Sequence, residues 1–282
     1  MRFFNMFGSD RVGALWEYQA ESFLWHVRPT ESDVVICEER DTDRKTVLYT
    51  AIDRESGAVL WHKPLNDGSW WTGIETVHDG ILFLHGFASP DMPHHRGIRA
   101  FDLRTGAGLW SKLELRYVAV SGRTLFAAEL TETGERVLAY DVRSGERVPD
   151  DVAELPTELA DEAAGEYLFP SPLATLLQHQ PAAASLVRAR CAGLNLVEES
   201  SALVLGAHVV AAYHERLAPE PEPWYRTTMM VLDSHQGKLQ YQRVLDGPVR
   251  RVSPEPFFAH RSMVFGIERR SILFAVQLAQ PL

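Results

Sequence analysis

At 282 residues and 45% hydrophobic content, the chain can bury a large core, and a single all-β domain over 1–282 is the default expectation. A formal net charge of −10 argues against nucleic-acid phosphate as a partner, which needs clustered Lys and Arg. No run approaches the ~18 apolar residues of a membrane span. The opening residues reach Asn5, Gly8, Ser9 and Asp10 before an apolar signal region forms, so a soluble, cytoplasmic protein without membrane contact is expected.

In chain order, the first predicted strand contains "GALWEY", with Trp16 near its middle. The stretch "AIDRESGAVLW" (51–61) then returns as "AFDLRTGAGLW" (100–110). Aligned on Asp and Gly, four segments share one frame: Asp53 to Gly57, Asp102 to Gly106, Asp141 to Gly145, and Asp233 to Gly237. A hydrophobic run precedes each, and a short strand follows three of them, including those that carry Trp61 and Trp110. Asp opening a turn that Gly closes in the left-handed region is hairpin chemistry, so each segment is predicted to be strand-turn-strand.

Spacing counts the units. The glycines are separated by 49, 39 and 92 residues, and the last interval is about two periods. A degenerate strand unit is therefore expected near "SLVRARCAGLNLVEE". Periods of about 40–50 residues with four strands each indicate a β-propeller. Six blades are predicted, with seven as the alternative. Their outer strands fall at Trp16, Trp61, Trp110, near Val148, near Leu194 and at Tyr241. The C-terminal segment "SMVFGIERRSILFAVQL" lacks a strand of its own after the last turn. The N-terminal strand, whose "GALW" copies the strand after Gly57, is expected to complete the last blade and so remove an exposed edge.

The acidic stretch around 150–182 reads as a partly helical insertion in a blade, with Thr157 able to cap "ELADEAA" and Pro172 able to open "LATLLQHQ". Cys37 and Cys191 each fall in strand-like runs and read as buried, reduced thiols.

The repeated Asp-x-x-Thr/Ser-Gly-x-x-Leu-Trp unit resembles the repeat of quinoprotein-type (PQQ-like) propellers, in which the outer-strand Trp packs between neighbouring blades. Trp61 and Trp110 match it fully and Trp16 in part; Tyr241 and Pro149 replace Trp in two units. The segment "WWTGIETVHDGILFLHGFASPDMPHHRGIRAFDLRTG" is similar to a bacterial family of about this length known as domain-of-unknown-function family 4905, a resemblance that implies a fold and no activity. Quinone-cofactor dehydrogenases carry eight blades, calcium and a vicinal disulfide. This chain is too short and has no adjacent cysteines, so no cofactor is expected, and fold alone does not carry function.

If the Asp-to-Gly turns join third to fourth strands, three loops converge on the other face: "NDGSWW" (66–71), "HGFASPDMPHHRG" (85–97) and "LAPEPEPWYR" (217–226). Candidate ligand-binding residues are Trp70, Trp71, His85, Asp91, His94 and His95. Adjacent His94 and His95 point apart on an extended backbone and no metal-ligand spacing supports them, so no metal is assigned. Of Trp70 and Trp71, one is expected to enter the core while the other faces the neighbouring sheet or the funnel; packing is the favoured role, with stacking of a planar or sugar ligand by a partly exposed Trp beside the histidines as the alternative.

No nucleophile elbow, phosphate loop or dinucleotide fingerprint is present, and Asp233, Ser234 and His235 are turn residues rather than a triad. No catalytic residue is assigned. Two functions remain: a binding or scaffold module for a protein or small-molecule ligand, and a hydrolase or lyase using His85, His94 or His95 with Asp91 as base and orienter, with or without a metal.

Overall fold

The computed structural model describes residues 13–66, 69–89, 92–132, 134–149, 167–197, 200–218, 223–252 and 256–279. They form twenty-one strands, numbered here in chain order from β1 (Ala14–Gln19), and two helices. The chain divides into two compact units, Ala20–Gly165 and Met1–Gln19 together with Glu166–Leu282.

The first unit holds three antiparallel sheets with strands in sequence order. One consists of β2 (Phe23–Pro29), β3 (Val34–Asp41), β4 (Thr46–Asp53) and β5 (Val59–Lys63). The next consists of β6 (Thr72–His78), β7 (Ile81–Ser89), β8 (Met92–Asp102) and β9 (Gly108–Lys112). The third has three strands, β10 (Leu115–Ser121), β11 (Thr124–Thr131) and β12 (Gly134–Asp141). Its expected outer strand near Val148 is reduced to a bridge between Tyr140 and Arg147.

Apolar faces of consecutive sheets pack together. Val34, Ile36, Tyr49 and Ala51 of the first sheet share a core with Ile74, Leu82 and Leu84 of the second. Ile81, Phe83 and Ile98 of the second share one with Leu125, Ala127 and Tyr140 of the third. Alternation along each strand supplies both faces of a sheet that is buried on both sides.

The second unit contains β13 (Tyr167–Leu168), β14 (Ser171–Pro172), α1 (Leu173–His179) and α2 (Pro181–Arg190). There follow β15 (Ser201–Leu205), β16 (His208–Arg216), β17 (Tyr225–Asp233) and β18 (Leu239–Val249), and then β19 (Phe257–His260), β20 (Met263–Glu268) and β21 (Ile272–Gln277). Strands β14 to β18 form one sheet in sequence order; the other runs β1-β21-β20-β19-β13. The N-terminal strand thus pairs antiparallel with the C-terminal one, Trp16 opposite Ala275, and the Trp16 ring tilts against Phe265 at 5.9 Å.

All four Asp-Gly turns have one construction. Asp Oδ1 accepts from the N–H three residues on, at Ser56, Thr105, Ser144 and Gln236, and each Gly N–H returns to the Asp carbonyl. Gly57, Gly106, Gly145 and Gly237 have φ between 65° and 72°, a region open to Gly at little cost. Two turns also receive a Trp from the preceding sheet. Trp61 Nε1 donates to the Leu103 carbonyl at 2.8 Å, and Trp110 Nε1 to that of Val142 at 2.9 Å. Each ring lies under the next glycine, so a Cβ on Gly145 would sit 2.6 Å from Trp110 Cγ.

The described residues form five sheets. Other expectations are corrected: the strand unit expected near "SLVRARCAGLNLVEE" is helix α2 followed by a turn. Near Leu194 the described residues form a single bridge, from Leu196 to Glu215. Pro181 at the first helical position and the run "PAAASLVRAR" favour helix, a local signal that overrides the extrapolated period. Cys191 therefore ends a helix rather than sitting in a strand, though both thiols are buried and free. Pro172 does precede α1; Thr157 and the acidic run lie outside the described residues.

Replacing Gly145 with Ala imposes both a strained φ and a clash with the docked indole. It should lower stability by about 1–3 kcal/mol in denaturant unfolding. Gly13→Ala, with nothing within 4 Å of the added carbon, should be near neutral.

Candidate functional site

At the end of the β6-β7-β8 hairpins away from the Asp102 turn, three side chains meet on one face. Glu75 comes from β6, His85 from β7 and His95 from β8. The segment 85–97, read as a loop, is an extension of β7 and β8 on either side of residues 90–91. Asp91, proposed as orienting carboxylate, lies outside the described residues. Glu75 is the carboxylate that the described residues place beside His85 and His95.

Register irregularities bring the three together. Opposite β7, Ile74 and Thr76 face consecutive residues Leu84 and Phe83, leaving Glu75 as the extra residue of a bulge. A second irregularity at Gly97 shifts β8, so that His95 pairs with Phe87. Bulges re-aim side chains out of the regular alternation. His95 Nδ1 lies 2.9 Å from Glu75 Oε2, and His85 Nδ1 lies 3.0 Å from the same oxygen. The two imidazoles are stacked with centroids 3.5 Å apart and planes within 8°.

The contacts are unequal. His95 is aligned for a hydrogen bond to the carboxylate, whereas His85 is close but off line, and its Nδ1 is buried with no hydrogen-bond partner. A buried polar group left in that state costs about 1–3 kcal/mol. Burial raises the Glu75 pKa, but the two imidazoles of His85 and His95 beside it outweigh that, leaving the carboxyl below its ordinary range. An ionised Glu75 only accepts, so His95 carries its proton on Nδ1.

Phe87 stands edge-on to both imidazoles, at 5.1 and 5.5 Å, and edge-on to Trp71 at 6.3 Å. Trp70 packs partly buried against the core, and Trp71 is 45% exposed. His94 and His95 point apart, with His94 exposed and His95 in the cluster.

The backing of this cluster is charged, and the sequence reading missed it. Glu38, Glu39 and Arg40 are consecutive on β3 and all buried. Arg40 donates to Glu38 Oε1 at 2.6 Å, to the Trp70 carbonyl at 2.8 Å and to the Thr72 carbonyl at 2.5 Å. Its guanidinium also lies over the rings of Trp25 and Trp70, at 5.4 and 4.9 Å. Glu38 Oε2 accepts the Ile74 N–H at 3.1 Å, and Arg28 donates to the Glu75 carbonyl at 2.9 Å. The residue before the bulge and the bulged residue itself are thus fixed from the neighbouring sheet. Glu39, on the opposite side of the strand, accepts from the Thr50 hydroxyl and the Glu21 N–H.

In the second unit, a cavity of about 620 Å³ is lined by residues including Asn195, Arg216, Tyr225 and Arg251. It includes one residue of the expected 217–226 loop, of which 219–222 lie outside the described residues. Among the described residues, no helix is long and apolar enough to cross a membrane.

The Domain of unknown function (DUF4905) family model matches residues 29–110, which span β3 through β9 and include Glu75, His85 and His95. No curated protein matches the chain. Among solved structures, the β-propeller domain of the Trilobed protease from Pyrococcus furiosus is similar at 12% identity, covering 90% of this chain and 66% of that one, with a TM-score of 0.31. Pyrococcus horikoshii acylaminoacyl peptidase is similar at 12% identity, covering 88% and 36%, with a TM-score of 0.30. BBS1N, in its complex with ARL6DN, is similar at 12% identity, covering 95% and 97%, with a TM-score of 0.33. The chain spans under two thirds of the length of the first two. Likenesses this remote transfer no activity.

Removing one partner of a buried ion pair strands the other, so Arg40→Ala should cost about 3–5 kcal/mol in denaturant unfolding. Burial raises the Glu38 pKa, yet His26, Arg40 and the Ile74 N–H together leave it below the ordinary range. Its stabilising contribution is therefore complete above the unfolded value of about 4.3 and is lost as pH falls through the lower folded value. Glu38→Gln should flatten the acid limb of a stability-against-pH curve.

Proposed function

We propose that the chain is a β-propeller binding module that holds a planar or sugar ligand on the Trp71 side of its second sheet and does not turn it over. The propeller reading is supported by repeated strand-turn-strand units and by Trp61 and Trp110, which dock from one sheet onto the turn of the next. The observation that carries the binding reading is the aromatic face itself. Trp71 is 45% exposed and meets Phe87 edge-on, beside the partly exposed His95. Trp25, equally exposed, stacks on the Arg40 that fixes the Trp70 carbonyl. Rigid, half-exposed aromatic rings backed by a fixed scaffold recur in ligand-binding surfaces, because stacking on them costs little side-chain entropy.

The test is calorimetry against a defined panel of mono- and disaccharides and planar heteroaromatic compounds. A binder should lose about 30-fold in affinity on Trp71→Ala, while the unfolding midpoint stays unchanged. A binder indifferent to that substitution, or a panel with none, overturns the reading. Conversion of a compound to product that stops on His95→Ala would replace it with the hydrolase or lyase alternative.

A further inference from the structure

We propose that Glu75, His85 and His95 form a binding site for one divalent transition-metal ion of the zinc class. This goes beyond the stacking ligand and does not depend on it, so either reading can fail alone.

The donor set is the first argument. One carboxylate oxygen and two imidazole nitrogens, all within 4.8 Å of one another, come from three adjacent strands of one sheet. Two nitrogens and one oxygen suit Zn²⁺, Co²⁺, Ni²⁺ or Fe²⁺ rather than the all-oxygen demands of Ca²⁺ or Mg²⁺.

Spacing is the second. Bonds of about 2.0–2.1 Å in tetrahedral geometry place neighbouring ligand atoms roughly 3.3 Å apart. The two Nδ1 atoms lie 3.0 and 2.9 Å from Glu75 Oε2, a few tenths of an ångström short of that edge length.

Independent of both is the state of His85. It is 93% buried by exposed area (7% exposed), and its Nδ1 faces the carboxylate oxygen without an aligned hydrogen bond. One carboxylate oxygen shared by two stacked rings serves His95 and leaves His85 poorly met. A cation among the three atoms satisfies both nitrogens and the carboxylate together.

Ion binding asks two things of the site. The parallel rings must tilt so that their lone pairs converge, and the His95 side, 39% exposed, is the one with room to move. His95 must also carry its proton on Nε2 instead of Nδ1, because a ligating nitrogen is unprotonated. Gly73 assists by its lack of a side chain, since a Cβ there would come within 3.0 Å of His85 Nε2. The exposed side leaves a coordination position for water or a ligand atom. Glu75 was hidden from sequence spacing because it lies ten residues before His85 and on a different strand.

The experiment uses the full chain purified without a histidine tag, stripped with chelator and titrated with Co²⁺ followed by visible absorption. Zn²⁺ is then titrated by competition. One equivalent of Co²⁺ should bind with a nitrogen-ligand d–d spectrum, and Zn²⁺ should displace it. Glu75→Gln and His95→Gln should each weaken binding about 10-fold or more, while His94→Ala, altering the exposed neighbour, should leave it unchanged. Failure of the unmodified chain to bind either ion saturably overturns the proposal without reference to any variant. So does binding that survives the Glu75→Gln/His95→Gln double substitution in a protein whose circular dichroism is unchanged.

Discussion

The pairing of Arg40 with Glu38 in the space between two sheets is the constraint on which the rest of the candidate site depends. Charges are costly to bury, and this pair is tolerated because each guanidinium nitrogen and both carboxylate oxygens have a hydrogen-bond partner. Arg40 reaches Glu38 and two carbonyls on the approach to β6, and Glu38 turns its second oxygen to the Ile74 N–H. A hydrophobic pair of the same volume would glue the sheets together without fixing their register. The ionic pair does fix it, and the site inherits that order, because the bulge at Glu75 begins where Glu38 holds the backbone.

What was readable in the sequence was local. An Asp that accepts from the N–H three residues on, with a Gly closing the turn, is complete within five residues, so all four turns could be found from residue type alone. The repeat of the Trp61 and Trp110 motif was visible, while their docking was only what its resemblance to a quinoprotein-type repeat implied; the pairing of Trp16 with the C-terminal strand followed from its likeness to the strand after Gly57. His95 was identified as a candidate, and its separation from His94 was foreseen from the alternation of an extended chain.

Contacts between strands were not readable. Glu38-Glu39-Arg40 looks like an exposed strand end until the next sheet supplies carbonyls for the guanidinium. Glu75 sits in "GIETVH", an ordinary amphipathic strand, and becomes a site residue only because a bulge turns it toward β7 and β8. The missing strand unit failed for another reason. A repeat period extrapolated across 92 residues carried no information about the sequence within it, and "PAAASLVRAR" follows its own helical preference.

That helix alters how one seam of the molecule tolerates change. Where Trp61 and Trp110 each seat one indole beneath a glycine with one directed N–H bond, Gly237 is covered instead by the Leu186 side chain of α2. An indole held by a directed bond admits almost no substitute. An aliphatic side chain on a helix that also buries Ala184 and Val187 covers by area, and Ile or Met could cover as well. Residues facing the Gly237 turn are therefore free to drift under mutation, while those beneath Gly106 and Gly145 are held to a single aromatic shape.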